Sequence, residues 1–250
     1  MKLMLSGEGS TDIGRVRLVP GGSAFVPGPM TEIVDWLIDD QLQFSPLELD
    51  ELGAQCVTYL TEGQLAYANV PPRPQFLPGT VRPKGEAGTT AHAYALGCLA
   101  RAEAVMAQEP VVAVLFRDSD GTRSAPRDIW QGKVDAINQG FQLARFDAGV
   151  AMVPRPKSEA WLLCALKASP YQHCDALEDA PGNDRSPNAL KPRLAALMNV
   201  QTPSGDEQAE WVRNRLVDPT RVDMPSFNAF ADRLEDVLTQ LTAPGWLPPA

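Results

Sequence analysis

Two aspartates one residue apart, Asp118 and Asp120, follow an apolar run in "VLFRDSDGT". Carboxylates at this spacing repel unless something positive stands between them. A hard cation such as Mg²⁺ takes oxygen ligands and lets them crowd together. The plainer alternative is a solvated Asp-Gly turn leaving a strand. Other acids follow other apolar runs. Glu8 sits in "GEG", whose glycines permit a turn and also a close backbone approach to a ligand. Asp12 comes just after Ser10 and Thr11, where it is a ligand or simply an acid favoured beside a turn cap. Glu159 falls in the first turn of a helical pattern with Ser158 as candidate N-cap, a place the helix dipole favours for an acid in any case. Lys157 would face a phosphate or water, with Arg155 as its competitor. No serine–histidine or cysteine–histidine pairing stands out for nucleophilic catalysis. His92 lies in a helical stretch and His173 in the loop "SPYQHC", neither with a partner nearby.

These acids become a set only if the chain positions them together. "KLMLS" is a short apolar run at the start, "PVVAVLF" a continuous one of strand length, and "AGVAMVP" another. Thr89 to Gln108 places apolar residues at helical intervals, and "APRDIWQGKVDAINQGFQLARF" carries Trp130, Val134, Ile137 and Phe141 on one stripe. "PKSEAWLLCALK" opens a further helix. The order strand–helix–strand–helix predicts a βαβ unit with parallel strands and a right-handed crossover. Glu8, Asp118, Asp120 and Glu159 would then lie at the C-terminal edge of one sheet, where open α/β sheets place their ligands. From about residue 13 to Pro83 the pattern is irregular, apart from the amphipathic "MTEIVDWLIDDQL". The tail holds three helical segments, "SPNALKPRLAALMN", "GDEQAEWVRNRLV" and "PSFNAFADRLEDVLTQL", the last with Ser226 as candidate N-cap.

Net charge is −9, from 22 basic and 31 acidic side chains, which is unfavourable for a stand-alone nucleic-acid binder. The charge is unevenly placed. Residues 31–55 hold seven acids and no base, whereas "RPQFLPGTVRPK" carries Arg73, Arg82 and Lys84 and no acid. That segment is a nucleic-acid path or a solvated loop. No apolar run reaches the roughly 20 residues of a membrane span, and the apolar part of "MKLMLSGEGS" is too short for a signal peptide. The 4 cysteines include no Cys-x-x-Cys pair; Cys164 and Cys174 could be neighbours, but nothing else points to a disulfide or zinc framework. The cytoplasm is the simplest compartment.

"LMLSGEGSTD", "VLFRDSDGT" and "VPRPKSEAWLL", in that order, resemble the Toprim signature of a Glu after the first strand and Asp-x-Asp after a later one. More narrowly, they are similar to the compact bacterial Toprim-related proteins found beside ATPases in phage-defence clusters. There an "EGxTE/D" start and a "P-x-x-E-x-W-L-L" segment flank the Asp-x-Asp. The likeness covers these three segments and "SPNALK", and leaves out the stretch from Asp12 to Pro110. It implies an α/β fold with a Toprim-like, mostly parallel sheet flanked by helices. The core would be 1–168, with an irregular insertion at about 13–88 after the first strand, and 169–250 would be a helical extension packed on it. It further implies Glu8 as metal ligand or general acid/base, Asp118 and Asp120 as the metal-binding pair, and Glu159 as the additional acid of the nuclease branches. Asp12 stands where many relatives have Glu. The cofactor would be Mg²⁺, with Mn²⁺ as a substitute. The partners would be nucleic acid, DNA before RNA, an ATPase, and further copies of the chain. The chain lacks an obvious tyrosine nucleophile or zinc-binding part, which sets topoisomerase and primase activities aside.

Two alternatives remain. "VLFRDSDGT" also resembles the first motif of haloacid-dehalogenase-type phosphatases, in which Asp118 would be a covalent nucleophile and Asp120 an acid/base. That motif normally opens its domain, and here a strand with its own glutamate precedes it. The other alternative is a non-catalytic, metal-binding scaffold that serves an ATPase.

Overall fold

The run Val111–Phe116 has no polar side chain and is buried along its whole length, as a strand covered on both faces must be. In the computed structural model, which describes residues 1–19, 22–73, 86–119 and 129–248, it is an inner strand of a four-stranded sheet. The strands are β1 (Lys2–Gly7), β2 (Gly14–Val19), β3 (Gly22–Pro27), β4 (Val57–Leu60), β5 (Val111–Phe116) and β6 (Gly149–Met152). The main sheet runs β4-β1-β5-β6, and all three of its pairings are parallel. Register sets Gly7 beside Phe116 and Phe116 beside Met152, so the strands leave the sheet at one common edge.

The helices in the first two thirds of the chain are α1 (Pro29–Leu42), α2 (Pro46–Glu51), α3 (Glu62–Ala66), α4 (Ala87–Ala107), α5 (Ile129–Leu143) and α6 (Ser158–Leu166). The expected βαβ unit is present, with α4 leading into β5 and α5 joining β5 to β6. Right-handed crossovers place α4 and α5 on the same face of the sheet. The step from β1 back to β4 runs the other way, which places α1 on the opposite face. There it meets the tail helices α8 (Gly205–Arg213) and α9 (Pro225–Thr242), while α7 (Leu190–Leu197) packs on α6.

The stretch expected to be an irregular insertion is largely ordered structure. It contains the antiparallel hairpin β2–β3, the helices α1, α2 and α3, and β4, an edge strand of the main sheet. β4 is only four residues long and only partly buried, so neither length nor periodicity marks it in the sequence. The hairpin leaves Leu18 89% exposed, and its apolar pattern therefore reports no core.

Ser226 does not cap α9: the N-cap is Met224, with Pro225 in the first turn. The Ser226 hydroxyl instead accepts a hydrogen bond from the fully buried Trp161 of α6 at 2.9 Å, and its amide donates to Glu178 at 2.7 Å. Phe227 and Phe230 close on the same indole, with ring centroids 5.0 and 5.7 Å away. This buried cluster joins α9 to the start of α6. A second tie corrects the cysteine expectation, because Cys164 and Cys174 form a disulfide. Among the described residues no helix is long and apolar enough to cross a membrane.

Candidate carboxylate site

Glu8 follows β1 directly and is half-buried, with Oε1 shut off from solvent. Gly9 turns the chain with φ 80°, a value that favours glycine, and a Cβ there would lie 2.6 Å from Asp12 Oδ2. The Asp12 carboxyl therefore rests on the bare backbone of Gly9. The amide of Asp12 donates to the Gly9 carbonyl at 3.1 Å, and its own carbonyl accepts from Met30 at the start of α1.

Asp118 is held from both sides. The Arg117 amide donates to Met152 O at 3.0 Å and the Ser119 amide to Pro154 O at 3.2 Å, which extends the parallel pairing past the ends of β5 and β6. The Ser119 hydroxyl donates to Pro156 O at 3.1 Å, and Lys133 of α5 donates to the Asp118 carbonyl at 2.6 Å.

Ser158 joins the two acids. It is the first residue of α6 and not its cap, which is Lys157 without a side-chain cap bond. The Ser158 amide, one of the helix-end donors with no partner within the helix, donates to Asp118 Oδ1 at 3.0 Å. Its hydroxyl donates to Asp12 Oδ1. One buried serine thus holds an acid from the β1 edge beside an acid from the β5 edge.

Glu159 is next in the chain and 8% exposed, and its Oε2 is buried without a hydrogen-bond partner. Burial pushes its carboxyl above the usual range; its own backbone N–H opposes this, Asp12 adds to it, and the Lys157 and Lys191 ammonium groups oppose it. Burial likewise raises Asp12, against hydrogen bonds from Ser158 and Thr11 and the same two lysines. Lys157 also reaches Asp184 at 3.1 Å.

Of the residues singled out in the sequence, Asp12, Asp118, Lys157 and Glu159 are brought together, and Glu8 stands at the same sheet edge. Asp120 lies outside the described residues, as do Arg82 and Lys84; Arg73 donates to Ala87 O at 3.3 Å. Among the described residues no three His, Cys, Asp or Glu side chains are grouped so as to hold a metal ion. The donor set still suits a hard cation, being all carboxylate oxygen with one buried oxygen unsatisfied. Ser158 and Lys191 were not singled out from the sequence as site residues, because their roles depend on partners distant in the chain. His92 was expected to lack a partner and has two: Arg117 Nη2 lies 2.8 Å from its Nδ1, and Glu62 is 3.5 Å away.

A comparison with protein-family models matches none of them to this chain, and no curated protein and no solved structure matches it.

Proposed function

We propose that the chain is a Mg²⁺-dependent phosphodiester hydrolase of the Toprim type that acts on nucleic acid. The observation that supports this most is Ser158, which bonds Asp12 and Asp118 at once beside the buried, unsatisfied oxygen of Glu159. Carboxylates are kept this close and this dry at a cost, and a bound cation offsets it. Glu8, Asp12, Asp118, Asp120 and Glu159 would hold the ion. Mg²⁺ bound there would supply an activated water and neutralise charge on the phosphate. Lys157 and Lys191, whose charges both reach Asp12 and Glu159, would orient a phosphate. The resemblance adds DNA before RNA as substrate, an ATPase partner and a place in phage defence. The cytoplasmic assignment is carried by composition alone, and the Cys164–Cys174 disulfide weighs against a reducing compartment.

Two measurements on one set of variants test the reading. Mg²⁺ at a hundred times its Kd should stabilise the wild type by about 2.7 kcal/mol, because it binds only the folded state. Asp118→Ala should lose that shift. Wild type should cleave plasmid DNA with Mg²⁺ or Mn²⁺, and Glu8→Ala, Asp118→Ala and Asp120→Ala should each abolish cleavage. Phosphomonoesterase activity that survives Glu8→Ala and is lost in Asp118→Ala would overturn the reading in favour of the phosphatase.

A further inference from the structure

A second charged group stands at the same sheet edge, held by α3 and α4. Arg117, the residue before Asp118, is 3% exposed. A guanidinium cannot shed its charge, so a buried one must find its partners within the protein. Here Nη1 donates to Phe116 O at 2.9 Å, at the last position of β5. Nη2 meets Glu62 Oε1 at 2.6 Å and His92 Nδ1 at 2.8 Å. Burial, and then the neighbouring guanidinium, holds His92 below the usual imidazole range, which suits a neutral ring accepting at Nδ1. Glu62 opens α3 just past the end of β4, and His92 lies on α4. Arg117 therefore clamps the end of β5 to two elements that contribute no acid to the carboxylate site.

We propose that Arg117 is a positioning residue: gripped by Glu62 and His92, it fixes where the chain leaves β5 and so where the Asp118 carboxyl stands. The other flank of Asp118 is already tied by Ser119 to Pro154 and Pro156 and by Lys133 to its carbonyl. With Arg117 in place the chain is tied at each residue from Arg117 to Ser119, and Asp118 Oδ1 meets the Ser158 amide. The consequence for metal binding rests on the function proposed above; the placement of Asp118 does not.

The test uses Arg117→Met, which keeps an unbranched apolar stem and removes the guanidinium fork. Glu62 has 43% of its side chain exposed and can turn to water, so the variant should fold. The metal-free readout is hydrogen exchange of the Ser158 amide by NMR, with Asp118→Ala as the reference for a lost bond. Exchange in Arg117→Met should quicken about tenfold or more, as expected when a bond to a charged acceptor is lost. Arg117→Lys, which can reach Glu62 but lacks the fork, should restore part of the protection. The second readout is Mn²⁺ affinity, which should fall about tenfold to a hundredfold, as for other residues that orient ligands. Unchanged Ser158 exchange in Arg117→Met would overturn the positioning role. Faster exchange in the variant than in wild type, with neither protein binding Mn²⁺, would keep the positioning role and overturn the metal reading. If Arg117→Met does not fold, Glu62→Gln/Arg117→Met removes both charges together and is read by the same exchange.

Discussion

An exposed carboxyl ionises at no cost to folding, whereas Asp12 and Glu159 must do so inside the protein, and burial raises both. A carboxyl whose folded pKa lies above its unfolded value gives its full stability below the ordinary range near about 4. That contribution disappears as pH rises through the raised value. Without metal the protein should therefore melt higher in mild acid than at neutrality, as far as these two groups decide it. Glu159→Gln removes the buried charge and keeps the shape. Its melting temperature at pH 7 should exceed that of wild type, by about 2–4 °C if the gain is ~1 kcal/mol. Its melting temperature should also vary less between pH 4 and 7. An unchanged slope in thermal scans across that window would return Glu159 to an ordinary helix-start acid. The residue scale also shows where the sequence is silent. Glu8, Asp118 and Glu159 were legible because each follows an apolar run. Ser158 looked like a cap because the cap pattern is local, whereas its partners lie 40 and 146 residues away. Arg117 and His92 were hidden for the same reason: a buried ion cluster has no spacing to read.

Among the elements, those built from long or fully apolar patterns were legible. β5, β6, α4, α6 and the tail helices stand where periodicity put them, and the parallel order follows from their sequence alternation. β4 was not legible, since an edge strand of four residues, one of them exposed, is too short to show a pattern. The Cys164–Cys174 bond was not legible either, because two cysteines in a chain of this composition give no spacing code. Its place gives it a use. Cys164 lies in α6, the helix that begins with Ser158 and Glu159, and Cys174 lies in the following loop. Chain entropy for a loop of this length puts the bond at about 3 kcal/mol, the short loop keeping it modest. Cys174→Ser should accordingly lower the melting temperature by about 6–12 °C for a chain of this size. Reductant should produce a similar drop in wild type and none in the variant. Thiol titration of unreduced, denatured wild type should find only Cys56 and Cys98. Four reactive thiols in that titration would remove the bond from the account of α6.

For the whole molecule, a charge of −9 sets the problem of reaching an anionic substrate. Long-range attraction cannot come from net charge, so any affinity for nucleic acid must come from local basic groups and a bound cation. The sequence offers one acid-free basic segment, Arg73 to Lys84, of which Arg73 lies among the described residues and leads towards α4. α4 in turn carries His92, which touches the Arg117 beside Asp118. If it tracks a phosphate backbone, each contact releases counterions, and affinity falls with salt in proportion to the number of contacts. Replacing Arg73, Arg82 and Lys84 together by Gln should weaken DNA binding. It should also flatten the slope of log K against log salt by about 2–3 for a duplex. The measurement is a titration of labelled duplex in the presence of Ca²⁺, to hold the site's charge without turnover, between about 50 and 200 mM salt. A weaker affinity with an unchanged slope would mean that the substitutions acted through the fold. An unchanged affinity would leave the segment a solvated loop, and Lys157 and Lys191 would then have to hold the phosphates alone.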